Sequence, residues 1–190
     1  MPRQILVLYA HPSPSISRAN RALRAAIDGI PGVAVHDLYE TYPDFFVDVA
    51  REQALLAAHD VLVVQHPFYW YSCPALVREW MDLVLAHGWA YGTGGTALRG
   101  KAWLQAVTTS GPAERYRHDG LNRYTVPELL RPFEQSALLC NMTYLEPFVA
   151  YATPGLDDAA LAAEAARYRE RIERLARGDE LAPFDTFPEE

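Results

Sequence analysis

Cysteine is scarce. Cys73 and Cys140 are the only two in 190 residues, too few for a disulfide framework and without metal-ligand spacing, and each sits among apolar neighbours. A reducing cytoplasm is the expected compartment. Long apolar runs are missing as well: residues 54–58 and 61–64 are separated by His59-Asp60, so nothing approaches the roughly 20 apolar residues of a bilayer span. The apolar stretch 5–10 is too short and too soon polar for a signal peptide and reads as a first strand, so any membrane role is expected to be peripheral. Positive charge is in deficit, with 17 Lys and Arg against 24 Asp and Glu, a net charge of −7 and a pI near 5.4. Duplex nucleic acid and anionic lipid are poor partners for such a chain, because both are held by clustered cations. No GxGxxG or Walker sequence is present, which excludes a dinucleotide Rossmann site and a P-loop NTPase. The six histidines lack the HExxH or carboxylate-rich clustering of a metal site, so none is expected.

What remains is ample core material. Half of the residues are hydrophobic, 22% are charged and 12% aromatic, the balance of one compact domain. The uninterrupted apolar run 5–10 predicts a strand. It is followed by a Ser- and Pro-rich loop and then a helix whose Ala19, Ala22, Leu23, Ala26, Ile27 and Ile30 share one face until Pro31-Gly32 stops it. Strands follow at 33–38, 61–65, 101–108 and 143–151, and helices at 51–58, 74–85, 126–139 and 161–175. An aromatic loop occupies 39–46. Alternating strands and helices predict an α/β fold with a five-stranded, doubly wound parallel sheet covered on both faces. Residues 1–178 read as a single domain without repeat or linker, and 179–190 as an acidic, Pro-containing tail, loosely held.

In an open parallel sheet, ligands bind beyond the carboxyl ends of the strands, and the loops after strands one, three and four are unusual. The first, from His11-Pro12 to Ser17-Arg18-Ala19-Asn20, brings an imidazole, hydroxyls and an amide to a helix N-terminus, where unpaired N–H groups and the helix dipole favour an anion. Ser17 as a simple N-cap and His11 as a turn residue explain the same pattern. The second, Pro67-Phe68-Tyr69-Trp70-Tyr71-Ser72-Cys73-Pro74, spends four consecutive aromatics on a connection; these stack on a flat ligand or pack against a sheet edge or a second subunit. The third, Thr108-Thr109-Ser110-Gly111-Pro112, allows close backbone approach to developing charge. Tyr116, Arg117 and His118 just beyond it supply a proton, stabilise an anion, or simply form a solvated connection. The Gly-rich segment 88–100, carrying Trp89 and Tyr91, is either a wall or lid of the same pocket or an ordinary excursion. Cys73 has no CxxC partner and reads as inert core.

His11-Pro12 with Ser17-Arg18-Ala19-Asn20, His66-Pro67-Phe68-Tyr69-Trp70-Tyr71, Gly88-Trp89-Ala90-Tyr91-Gly92 and Thr108-Thr109-Ser110-Gly111 together resemble the flavodoxin-like NAD(P)H:quinone oxidoreductases. Within that family, His36-Asp37-Leu38-Tyr39, Tyr42-Pro43-Asp44-Phe45, Leu121-Asn122-Arg123-Tyr124 and Leu130-Arg131-Pro132-Phe133-Glu134 look like the small ancillary proteins of bacterial glutathione-gated potassium-efflux systems. The resemblance implies strand order 2-1-3-4-5, a homodimer and a bound flavin, FMN for so short a chain or FAD as in longer relatives. NADH or NADPH would be the electron donor and a quinone the acceptor. A potassium-efflux transporter is the implied protein partner, reached from the cytoplasmic face of the membrane. His11, Ser17, Arg18, Ala19 and Asn20 match the phosphate-holding positions. Pro67, Phe68, Tyr69, Trp70 and Tyr71 match the isoalloxazine loop, and Thr108, Thr109, Ser110 and Gly111 the loop at its polar edge. The family pairs a Tyr with a His six residues later beside the flavin; here Tyr116 matches the first, and Asn122 stands in the second position. Asn can hydrogen-bond a quinone oxygen but cannot relay a proton near neutral pH, so either His118 substitutes or turnover is slow. Ser110 also replaces a common Gly.

Overall fold

A computed structural model describes residues 2–179 and 182–184. The chain runs β1 (Ile5–Tyr9), α1 (Arg18–Ala26), β2 (Val33–Asp37), α2 (Leu38–Thr41), α3 (Val49–Ala58), β3 (Val61–Pro67), α4 (Ala75–Val84) and β4 (Ala102–Thr108). It continues through α5 (Val126–Leu129), α6 (Arg131–Leu139), β5 (Thr143–Tyr144), β6 (Phe148–Ala150) and α7 (Asp158–Arg177). The strands form one parallel sheet in the order β2-β1-β3-β4-β5, with β6 also paired to β4.

Every residue of β1, β3 and β4 is buried, and side chains alternate between two cores as the two-residue strand period requires. Ile5 and Val7 face Leu23 of α1, Ile27 just after it, and Tyr168 and Ile172 of α7. Leu6 and Leu8 face the opposite layer, where Leu56, Leu76, Trp80 and Phe133 come from α3, α4 and α6. At about 25 cal/mol per Å² of apolar surface removed from water, this two-sided burial is the dominant favourable contribution to folding.

The expected doubly wound α/β sheet is therefore present, with differences in detail. The predicted fifth strand, 143–151, is two short strands, because Pro147 between them has no N–H to give to the ladder. Together β5 and β6 occupy the outer side of β4. The predicted helix 126–139 is broken at Leu130: α5 opens with a capping box between Thr125 and Glu128, and α6 restarts with Pro132 in its first turn. The last helix begins earlier than its apolar stripe, since Asp157 caps it by accepting from Ala160 N at 2.7 Å, and it ends at Gly178, whose φ of 83° suits glycine. Part of the expected aromatic loop 39–46 is the short helix α2, capped by Asp37. Of the expected tail 179–190, residues 180, 181 and 185–190 lie outside the described residues. Phe184 donates its amide to the Tyr144 carbonyl at 2.9 Å and packs against the core.

One buried charge ties four elements together. The Glu52 carboxylate on α3, fully buried, accepts from Tyr42 Oη at 2.6 Å and from Trp80 Nε1 at 2.8 Å, and pairs with His36 Nε2 of β2 at 2.9 Å. Burial alone would raise this carboxyl, but the hydrogen bonds from His36, Tyr42 and Trp80 and the nearby His36 hold it below its ordinary value. Removing such an acceptor leaves buried donors unpaired. Glu52→Gln is expected to lower unfolding free energy at pH 7 by about 2–4 kcal/mol. Because the folded pKa lies below the unfolded value near 4.5, the carboxylate's contribution is fully present above that value and is lost as pH falls through the folded pKa. Urea unfolding followed by tryptophan fluorescence at pH 7 and pH 4 should therefore show a smaller acid-induced loss in the variant than in the parent; equal losses would refute this role.

Candidate functional site

Three strand ends converge. In register, Tyr9 lies beside Gln65, which lies beside Ala106, and Pro67 lies beside Thr108. The loops after β1, β3 and β4 consequently leave the sheet at one edge, where they enclose a cleft of about 410 Å³. The sequence placed the end of the third strand at Gln65, yet β3 continues through His66 and Pro67. Both are buried, and Phe68 N then donates to the Thr108 carbonyl at 2.9 Å, so the aromatic loop starts flush with the loop after β4.

The cleft lining contains His11, Ser17, Arg18, Ala19, Asn20, Pro67, Phe68, Tyr69, Thr108, Thr109 and Ser110, all of them candidates from the sequence. At its α1 end, Ser17 caps the helix by accepting from Asn20 N at 3.3 Å. Its hydroxyl proton remains available to a ligand. The first-turn amides of Arg18 and Ala19 have no carbonyl four residues back within the helix, so they add donors and the positive end of the dipole. Burial pushes the His11 imidazole pKa down, so it is neutral at pH 7. Its Nδ1 accepts from Ser13 N at 3.0 Å, which assigns the proton to Nε2. The Arg18 guanidinium donates to the Leu156 carbonyl and to Asp158, which ties the segment after β6 to α1.

Deeper in, Asn20 Nδ2 donates to Thr108 Oγ1 at 2.8 Å and Gln65 Nε2 donates to the Asn20 carbonyl at 3.0 Å. Asn20 Oδ1 and Gln65 Oε1 are buried without a partner among the described residues, and such orphaned acceptors are costly unless a ligand donor meets them. Thr109 is fixed by its amide to Ala150 at 2.9 Å and by its hydroxyl to the Gly111 carbonyl at 2.8 Å. The amides of Ser110 and Gly111 make no protein hydrogen bond among the described residues. Donors at one end, unpaired acceptors beside them and aromatic walls fit a flavin mononucleotide: Ser17 and the α1 amides suit its phosphate, Asn20 its hydroxylated chain, Phe68 and Tyr69 its ring, and Ser110 and Gly111 the ring's polar edge.

Next to the cleft, sharing Phe68 and Ser110, is a hollow of about 300 Å³ lined further by Trp70, Tyr71, Gly111, Arg115, Tyr116, Leu121 and Asn122. Trp70 (φ 50°, ψ 45°) and Tyr71 (φ 60°) are both left-handed, a conformation that costs roughly 1–3 kcal/mol for each non-glycine residue. The turn is held by Ser72 N donating to the Tyr69 carbonyl at 2.9 Å and by Tyr71 Oη donating to Asn122 Oδ1 at 3.3 Å. It leaves Trp70 93% exposed at the mouth. Tyr116 is buried against Phe68, with ring centres 6.1 Å apart. Burial raises its phenol pKa, with Tyr71 adding to this and Thr109 and Arg115 opposing it, so at neutral pH it is a proton donor.

Tyr116 and Asn122 thus line one hollow together, and His118 is not part of that lining. His118 lies on the other side of Tyr116, in a second hollow of about 690 Å³ that it lines with Tyr116 itself, Glu128, Tyr151 and Phe184. There its Nε2 is 3.7 Å from Glu128 Oε1. The local backbone explains this: the turns from Arg117 to Gly120 and from Gly120 to Arg123 carry residue 118 outward, while Asn122 N returns to the Arg115 carbonyl at 2.9 Å. The segment 88–100 is not part of the lining of cleft or hollow; Trp89 and Tyr91 pack against the core instead. Cys73, half-buried with its thiol pKa raised by burial, is unreactive by that measure. Sequence reasoning missed Ile16, Thr153, Pro154, Arg115 and Leu121 as lining residues. The strand-end rule, extended to the fifth strand, would have pointed to Thr153 and Pro154.

A family model described as a flavodoxin-like fold matches residues 3–172. A glutathione-regulated potassium-efflux system ancillary protein KefG from Pectobacterium carotovorum is 50% identical over 169 residues, which is 89% of this chain and 92% of the relative. Among solved structures, general stress protein 14 of Treponema denticola in complex with FMN is similar at 39% identity and a TM-score of 0.85, covering 90% of this chain and 99% of that one. An NADPH-quinone reductase from P. pentosaceus is similar at 31% identity and a TM-score of 0.81, covering 88% and 96%. With the sheet order, the strand-end cleft and these matches in agreement, the chain belongs to the family of flavodoxin-like fold proteins.

Proposed function

We propose that this protein is an FMN-dependent NAD(P)H:quinone oxidoreductase in which donor and acceptor occupy one site in turn. The observation that carries the reading is the junction of the two spaces. A cleft equipped for a phosphate and a flat ring opens through Phe68 and Ser110 into a hollow walled by Trp70 and Tyr71, where Tyr116 and Asn122 sit together. Similarity to the FMN-bound and NADPH-quinone reductase structures supports it. When bound, FMN would supply the hydride-accepting and two-electron-donating chemistry that no side chain here provides.

The chain's own residues orient and protonate. Ser17 and the first-turn amides of α1 hold the phosphate, Asn20 accepts from a chain hydroxyl, and the Ser110 and Gly111 amides donate to the ring edge, each fixed in place before the ligand arrives. Phe68, Trp70 and Tyr71 align a nicotinamide or a quinone in the hollow. Tyr116 donates its phenolic hydrogen to a quinone oxygen, and Asn122 hydrogen-bonds there without titrating near neutral pH. A second copy of the chain would cover the exposed Trp70 and Leu121 at the mouth, making the working unit a homodimer.

A second role is favoured by one observation, the 50% identity to a potassium-efflux ancillary protein over nearly all of both chains. In that role the protein docks on a potassium-efflux transporter through protein contacts, since no helix among the described residues is long and apolar enough to cross a membrane. Failure to co-purify with a transporter encoded beside it would count against this.

Two substitutions test the chemistry. Tyr116→Phe is expected to leave FMN bound and to lower steady-state quinone reduction by about 10- to 100-fold, the worth of a hydrogen bond to developing charge; unchanged turnover would remove Tyr116 from the mechanism. Asn122→His is expected to raise turnover and to add a dependence on an ionisation near pH 6.5. A rate that stays flat across pH 5.5–8 would show that the position does not take part in proton transfer.

A further inference from the structure

Among the nine residues lining the hollow beside the cleft, Arg115 is the only one with a charged side chain, in a protein whose net charge is −7. Its placement is fixed from both ends. Arg115 N donates to the Pro112 carbonyl at 3.0 Å, and its own carbonyl accepts from Asn122 N at 2.9 Å, which ties the Arg115 backbone to another residue of the same lining. The stem runs over Gly111: a Cβ built at that glycine would meet Arg115 Cδ at 3.4 Å and Tyr116 Cε2 at 3.2 Å. The Arg115 stem and the Tyr116 ring thus both flank Gly111, and the Arg115 charge is close enough to oppose the rise in the Tyr116 phenol pKa that burial causes. Two residues on, Arg117 is paired with Asp119 at 3.0 Å, whereas Arg115 has no carboxylate or carbonyl partner for its side chain among the described residues.

Arg115 is exposed at the rim of an open hollow that also carries Phe68, Trp70, Tyr71 and Tyr116, and a planar cation with five donors beside aromatic faces selects a flat ligand that carries an anionic oxygen group. We propose that Arg115 makes this hollow selective for aromatic electron acceptors bearing a negatively charged substituent, a carboxylate or sulfonate, over neutral ones of the same size. The inference rests on the hollow's being the acceptor site. The phosphates of a nicotinamide nucleotide offer similar chemistry, but Arg115 shares this lining with Tyr116, the proposed donor to a quinone oxygen, which favours the acceptor.

The test uses the FMN-loaded protein and two probes, 1,4-naphthoquinone-2-sulfonate and neutral menadione, each titrated at equilibrium by quenching of tryptophan fluorescence, to which Trp70 in the hollow contributes. The parent is expected to prefer the sulfonate about tenfold or more, and the preference should shrink as salt is raised. In Arg115→Gln the ratio of the two dissociation constants should collapse towards one, and Arg115→Lys should restore part of it, since it keeps the charge and loses the fork. A ratio within twofold of the parent in Arg115→Gln overturns the proposal. So does a variant whose only change is a higher KM for NADH or NADPH, which would assign the cation to the donor. Absence of any nicotinamide-driven reduction of menadione by the parent would defeat the reductase reading instead, and the binding ratio would still decide the role of Arg115.

Discussion

Everything at the cleft depends on the in-step ending of three buried parallel strands. β1, β3 and β4 are covered on both faces, so a slip of one residue in any of them would turn core side chains towards the wrong layer. That penalty fixes the register Tyr9–Gln65–Ala106 and Pro67–Thr108. The register in turn delivers a helix N-terminus, an aromatic turn and a hydroxyl-rich loop to one edge. No single one of these makes a site, and the sheet supplies the coincidence.

The cost of the site is borne by the layers beneath it. Two consecutive left-handed aromatic residues and two orphaned buried amide oxygens are unfavourable in the ligand-free chain. They persist because Phe68 is clamped to Thr108, Thr109 to Ala150, and Thr153 to Thr109. On the same face as Leu8, the Glu52 carboxylate locks β2, α3, α4 and the residue after α2 with hydrogen bonds from three different side chains. The rigid part of the protein lies under the sheet and the strained part at its edge, the arrangement expected where a ligand supplies the missing partners.

The fold was largely legible because its signals are one-dimensional. Apolar runs such as Ile5 to Tyr9 and the periodic face of α1 announce buried strands and a covering helix without reference to anything distant. The cleft was legible as well, since loops after parallel strands must meet and the motifs around Ser17, Phe68 and Thr108 lie in those loops. What failed to show were properties set across the chain. The position of His118 depends on two tight turns that carry it out of the hollow shared by Tyr116 and Asn122, while Asn122 is pulled back by the Arg115 carbonyl. Thr153 and Pro154 reach the cleft because the loop after β6 is tied back to the loop after β4, by Ala152 N to the Gly111 carbonyl and Thr153 N to the Thr109 carbonyl, with Arg18 holding its far end. The left-handed turn at Trp70 carries no glycine to mark it, and the run of alanines at the start of α7 hid a turn of helix that Asp157 caps.

The most direct test of the central claim is an anaerobic absorption titration of the purified protein loaded with FMN, first with NADH or NADPH and then with a quinone. Stoichiometric FMN binding, bleaching of the visible flavin band by the nicotinamide and its full return on adding quinone are the expected results. Failure of the protein to bind FMN would contradict the assignment of the cleft, and bound FMN that no nicotinamide bleaches would contradict the oxidoreductase activity.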